Sequence, residues 1–152
     1  MLFKWFLATL HLLAYGVALG AVLSRGRSLR RLSRTNPSKL RDVFVADNFW
    51  GIAVAVLLVT GVLRAFGGLE KGTFYYLHQP LFHLKMTAFI AIILLEIAPM
   101  VALIKWRNAF KNGTPIDTRR AQLYSKISHI EVGLIIVILV AAAGMARGVF
   151  IS

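Results

Sequence analysis

Cysteine is absent from the 152-residue chain. That excludes disulfides, thiolate metal sites, iron–sulfur clusters and thiol nucleophiles. Acid is scarce: six Asp and Glu stand against eighteen Lys and Arg, a net charge of +12. No phosphate-binding glycine loop, nucleophile elbow or His-Glu-x-x-His zinc motif occurs. Four scattered methionines offer no copper(I) path. Internal repeats and low-complexity segments are missing too.

What the chain has is apolar length. Hydrophobic residues make up 58% of it, against about 45–50% in soluble domains. The excess is gathered into four runs, each long enough to cross a hydrocarbon core of ~30 Å, which leaves only short loops. The expected fold is therefore all-α: a four-transmembrane-helix bundle forming a single membrane domain over 1–152, with helices at about 2–24, 37–66, 80–104 and 118–147. Asn36-Pro37 reads as an N-cap followed by proline at the first helical position. Gly67-Gly68 ends the second helix, and Gln79-Pro80 opens the third. Pro99, inside the third, deprives the Leu95 carbonyl of its amide partner and suggests a kink. Asp117 reads as the cap of the fourth helix.

A cleavable signal peptide ending near Ala18-Leu19-Gly20 is the alternative for the first run. Its length and the basic segment directly after it favour a retained helix. Gly16-x-x-x-Gly20 permits close helix contact. In the second helix Asp47, Gly51, Val54, Leu58, Gly61 and Ala65 share one stripe, read here as the face toward the bundle.

The positive charge follows the loops. The first connection holds seven Lys/Arg between Arg25 and Arg41, and the third holds six between Lys105 and Lys126. The middle loop has only Lys71, with Arg64 at its edge. Short loops rich in Lys/Arg stay in the cytoplasm, so both termini are expected on the non-cytoplasmic side. Trp5, Trp50 and Trp106 fall near the expected interfaces. The charge thus belongs to topology and to membrane lipids, and nucleic acid is not a partner.

Ionisable side chains at membrane depth need a partner or a purpose. Toward the outer face lie His11 in the first helix and His83 with Lys85 in the third; His78 is just outside. Two histidines on different helices of a bundle can hold a haem iron between them. Tyr15, one turn below His11, can bond a ligand or a polar cofactor edge, and Lys85 or Arg64 can neutralise a propionate. The alternatives are a backbone bond for His11 and headgroup water around His83. Toward the inner face lie Asp47, His129 and Glu131. This group can be a divalent metal site, the inner end of a proton path, or a hydrogen-bonded polar cluster tied to Arg119, Arg120 or Lys126. Glu96 is the deepest acid, ~16 Å along its helix from Lys85, too far for a direct pair. It is read as bonding a carbonyl freed by Pro99 or as delivering a proton.

The segment Phe6-Leu-Ala-Thr-Leu-His11-Leu-Leu, with Arg25 at the helix end, resembles the first helix of HemJ-type protoporphyrinogen oxidases. Leu81-Phe82-His83-Leu84-Lys85-Met86 is similar to that family's tryptophan-leucine-histidine-x-lysine-leucine motif. His129-Ile130-Glu131 stands where that family has an asparagine-glutamate pair. The Tyr75-Tyr76-Leu77-His78 to His83-x-Lys85 stretch looks more like an uncharacterised family of predicted bacterial membrane proteins in the same CopD/HemJ-like group. The HemJ resemblance implies b-type haem and a histidine in the His83 context that matters for activity. The aromatic-rich segment expected after the first histidine is replaced by Tyr15-Gly-Val-Ala-Leu-Gly20.

Together these features lead to an expectation: a multi-pass protein of the bacterial inner membrane, with periplasmic N- and C-termini, that binds haem b through His11 and His83, with His78 as substitute. It would transfer electrons to or from quinol, a porphyrinogen or a larger membrane complex. A protoporphyrinogen oxidase of HemJ type, hence an oxidoreductase, is one alternative. A cofactor-free accessory subunit of a larger complex is another.

Overall fold

In a computed structural model, residues 1–32, 37–67 and 77–149 are described. They form four long helices and no strand: α1 (Leu2–Arg31), α2 (Pro37–Phe66), α3 (Pro80–Lys111) and α4 (Ala121–Ala146). Each contains an 18-residue stretch of mean hydropathy between 2.0 and 2.5, long and apolar enough to cross a membrane. Asn36, Gly68, Lys71, Tyr75 and Tyr76, used above as cap, terminator, loop charge or motif, lie outside the described residues.

Two helices outrun their apolar segments. The first was expected to stop at 24 but continues to Arg31, and the third passes 104, and Pro99, to reach Lys111. Arg, Lys and Leu are good helix formers, so a change of polarity does not end a helix. The 30 residues of α1 span ~45 Å, more than the ~30 Å hydrocarbon core, so its charged end stands in the headgroup region.

What stops α3 is a Schellman motif. Gly113 adopts φ +66°, its N–H bonds the Phe110 carbonyl, and Thr114 N–H bonds Ala109 at 3.0 Å. The same device ends α4, with Gly148 at φ +72° and Val149 N–H on the Gly144 carbonyl. The start of α4 corrects the expectation at Asp117. The helix begins at Ala121, and the Asp117 carboxylate instead accepts the Arg119 backbone N–H and pairs with its guanidinium.

α1 packs against α2 on one side and α4 on the other, and α4 packs against α3. Consecutive helices run antiparallel, so the ends of α1 and α3 and the starts of α2 and α4 share one end of the bundle, here called the basic end. α2 is the least covered: only 17% of its apolar stretch is buried. Its buried stripe is Leu40, Val43, Ala46, Trp50, Ala53 and Thr60. That is one residue round from the expected Asp47-to-Ala65 stripe, on which Leu58 is 46% exposed. Gly16 and Gly20 also differ from expectation, since a Cβ on either would meet nothing within 4 Å. The close approach occurs instead at Gly26, where a Cβ would come within 2.9 Å of the His129 ring on α4.

The interior is layered. Near the basic end Leu29, Val43, Leu103, Trp106 and Tyr124 form one apolar layer. Tyr15, Val22, Trp50, Ile92, Ile135 and Ile138 form a second at mid-bundle. Phe82 and Met145 close the far end. Large apolar side chains such as Ile52, Leu94 and Val140 cover the outside, as lipid contact requires.

Candidate functional site

Between the two larger apolar layers lies a cluster of charge built from all four helices. Its centre is Arg25 of α1, whose side chain has no exposed surface. A guanidinium carries five N–H donors in a rigid fork. Nε donates to Ser128 Oγ of α4 at 3.1 Å. One terminal nitrogen donates to Asp47 of α2 at 2.9 Å and Glu96 of α3 at 2.6 Å. The other donates to the second Glu96 oxygen at 2.7 Å and to Glu131 of α4 at 2.8 Å. All five donors are therefore engaged, and Glu96 is held in the bidentate geometry that makes Arg–carboxylate pairs strong. The Trp50 ring lies 5.6 Å from the guanidinium carbon, within cation–π range.

The cluster reaches toward the basic end through a second arginine. Asp47 uses its other oxygen to accept from Arg107 of α3 at 2.7 Å. Arg107 also donates to Asn48 Oδ1 at 2.7 Å and to the Phe44 carbonyl, and lies against the Phe44 ring. Exposure rises along the series: none at Glu131 and Arg25, 19% at Asp47 and 31% at Arg107. One atom stands out. Glu131 Oε1 is buried and has no hydrogen-bond partner among the described residues, although its sister oxygen binds Arg25.

Local sequence explains why these groups meet. Arg25 continues the buried stripe Ala18, Ala21, Val22 and Leu29 of α1, so helical periodicity turns it inward despite its charge. Gly26 lets α4 come close enough for Ser128 and Glu131 to reach Arg25. Ser125 seals the contact by donating to the Gly26 carbonyl at 2.7 Å.

The inner-face group expected from sequence is thus partly assembled. Asp47 and Glu131 meet, but through Arg25. His129 stands aside, its Nδ1 donating to the Ser125 carbonyl at 2.7 Å while its ring packs on Gly26. Arg119 pairs with Asp117 rather than with this group. Among the described residues no three His, Cys, Asp or Glu side chains form a group able to hold a metal ion. The reason is visible at the cluster: the guanidinium occupies the point on which the acids converge. Glu96, read as too far from Lys85 for a direct pair and as bonding a freed carbonyl or delivering a proton, is the arginine's bidentate partner.

The outer-face residues divide between helix pairs. His11 is buried between α1 and α2, with Nδ1 2.6 Å from Thr60 Oγ1. Because the Thr60 hydroxyl donates to the Val56 carbonyl at 2.6 Å, the proton of the His11–Thr60 bond belongs to His11, and the lone pair of the neutral ring is on Nε2. Tyr15 meets the His11 ring edge-on at 5.1 Å, and Arg64 is near enough to act on Tyr15 electrostatically. His83 lies elsewhere. It is exposed on α3, a helix that shares no broad interface with α1, and its Nε2 donates to the Leu77 carbonyl at 2.8 Å. His78 is exposed and Lys85 half-buried. This arrangement does not bring His11 and His83 together as a ligand pair.

No curated protein and no solved structure matches the chain, so the likeness to HemJ-type oxidases rests on its short motifs alone. A family does match, over residues 3–150. Four apolar helices and that match agree on an integral membrane protein: the chain belongs to the family described as predicted membrane protein (DUF2214).

Proposed function

We propose that this protein exchanges a proton at its buried charge cluster, as the coupling centre of a proton-linked process in the membrane. The observation that carries this reading is the imbalance around Arg25. Asp47, Glu96 and Glu131 supply three carboxylates, and Arg25 and Arg107 supply two cations. Fully ionised, the cluster holds one excess negative charge inside the bundle, where uncompensated charge is costly. A proton is the smallest group that compensates it, and the unbonded Glu131 Oε1 is the position for it. The graded exposure from Glu131 through Arg25 and Asp47 to Arg107 supports a route to the basic end. By the distribution of Lys/Arg that end is the cytoplasmic side of a bacterial inner membrane, with the termini periplasmic.

Infrared difference spectroscopy of the detergent-purified protein across a pH titration tests this. The expected result is a deuterium-sensitive carboxyl C=O band that comes and goes with pH and is lost in Glu131→Gln. A wild-type spectrum with no titrating carboxyl, or a Glu131→Gln spectrum identical to wild type, overturns it.

A second reading has its own support. His11 is buried, oriented through Nδ1 by Thr60 as metal-ligating histidines are oriented by their second nitrogen, and carries its lone pair on Nε2. Haem b held by His11, with Tyr15 and Arg64 beside it, would supply one-electron transfer to quinol, a porphyrinogen or a partner complex. His83 would join only after leaving Leu77. Reduced and oxidised absorption spectra of protein from haem-replete cells decide it: a Soret band that His11→Ala removes supports the reading. A colourless protein ends it, and with it the HemJ-type oxidase, leaving a cofactor-free accessory subunit as the competitor to the proton site.

A further inference from the structure

At the basic end a cleft of about 400 Å³ opens between α1 and α2, away from the Arg25 cluster. One wall is a single stripe of α1: Gly20, Leu23, Ser24, Arg27, Ser28 and Arg31. Successive positions are alternately three and one apart, so that every second one lies four further on, and they share one face of the helix. Lys39 and Asp42 of α2 form the other wall. Polarity changes along the cleft. Its deep part is apolar, at Gly20 and Leu23. Two hydroxyls follow at Ser24 and Ser28, and the mouth is cationic at Arg27, Arg31 and Lys39.

Lys39 is paired with Asp42 at 3.3 Å. Arg27 and Arg31 have no carboxylate partner among the described residues, unlike Arg25, two residues before Arg27. From Gly20 to Arg31 the stripe measures ~16 Å, longer than a phosphate needs, and Gly20 leaves open space where a side chain would stand.

We propose that this cleft binds an anionic phospholipid, its phosphate held by Arg27 and Arg31 with the Ser28 hydroxyl, and an acyl chain laid along Leu23 and Gly20. The phosphate chemistry follows from guanidinium geometry, which matches phosphate oxygens bidentately. The lipid source follows from the apolar stretch at Leu23 and Gly20, which a free phosphate would leave unused, and from the position of the cleft at the end of a membrane-spanning helix.

Native mass spectrometry of the full chain in detergent, titrated with phosphatidylglycerol, phosphatidylcholine or inorganic phosphate, tests this. Phosphatidylglycerol should bind at least about tenfold more tightly than phosphatidylcholine. The double variant Arg27→Gln/Arg31→Gln should lose that preference, since each basic residue near an anionic surface contributes several-fold. The charge-matched control Arg119→Gln/Arg120→Gln, on the other basic connection, should keep it. Thermal melts without lipid show whether each variant is folded. If the double variant is not, Arg27→Lys/Arg31→Lys replaces it, expected to weaken the preference while keeping the charge. Equal binding of the two lipids, or equal loss in the control variant, overturns the site. Inorganic phosphate displacing phosphatidylglycerol at millimolar concentration overturns the lipid assignment.

Discussion

Arg25 places every donor of its guanidinium inside the bundle, and no other side chain can do so. Lysine offers three donors from a point charge, so Arg25→Lys should lose at least two of the five bonds and leave at least one of the four partners unbonded. Arg25→Ala leaves three acids without their central cation. Breaking a buried ion pair by removing one partner costs about 3–5 kcal/mol, so its thermal midpoint in detergent should fall furthest, with Arg25→Lys between it and wild type. Equal melting of Arg25→Ala and wild type would show that the cluster does not hold the helices. Glu131→Gln should behave oppositely. It evens the cluster to two carboxylates and two cations, so the same melt should show stability kept or raised while the infrared band disappears. Asp47, Glu96 and Glu131 were legible as ionisable groups at membrane depth, but their cation was not. Arg25 closes the apolar run and reads as the first charge of a loop, because hydropathy marks polarity and is blind to which face a residue occupies. Its place on the Ala18–Val22–Leu29 stripe was the available signal. The partner of Glu96 comes from 71 residues earlier in the chain, and sequence periodicity carries no information across helices.

The contact between α1 and α4 depends on one missing side chain. Gly26→Leu must displace His129 or push α4 away from Arg25, and overpacking of this kind costs about 1–3 kcal/mol. Gly16→Leu, entering open space, should stay within about 0.5 kcal/mol of wild type. Thermal melts of the two variants side by side check the contrast, and equal effects would place the close approach elsewhere. The more familiar small-residue spacing, Gly16-x-x-x-Gly20, pointed to the wrong glycines, since spacing shows only that an approach is permitted. The buried stripe of α2 was misjudged for a related reason. A helix in lipid is apolar on all sides, so the inward face cannot be recognised by hydrophobicity. Following Asp47 turned the stripe one residue away from Trp50, Ala53 and Thr60. The glycines at 113 and 148, by contrast, are terminators that a sequence can show, since both sit just past a helix end with positive φ.

The four spans and their alternating direction were the most legible features, because lipid forces backbone polar groups into uninterrupted helices and charge marks the loops. Neighbour order was not legible, so the pairing of His11 with His83 carried no knowledge that α1 and α3 share no broad interface. The absence of cysteine makes orientation directly measurable. Single substitutions Arg119→Cys and Leu77→Cys, both at exposed positions, should react with a membrane-impermeant maleimide in opposite ways in intact cells. Leu77→Cys should be labelled from outside, and Arg119→Cys only after permeabilisation. The reverse pattern would invert the bundle and place the proton route on the other face.

The order in which the chain is made now acquires a consequence. Arg25 belongs to the first of these four helices to leave the ribosome, while its acids follow 22, 71 and 106 residues later. At about 5–20 residues per second, the last of them arrives roughly 5–20 s after the arginine. During that interval the nascent first helix carries an unanswered cation and has reason to linger at the insertion machinery or near the headgroups. Only the emergence of α4 completes the set, so a chain cut short before residue 131 displays a bare charge that membrane quality control can recognise.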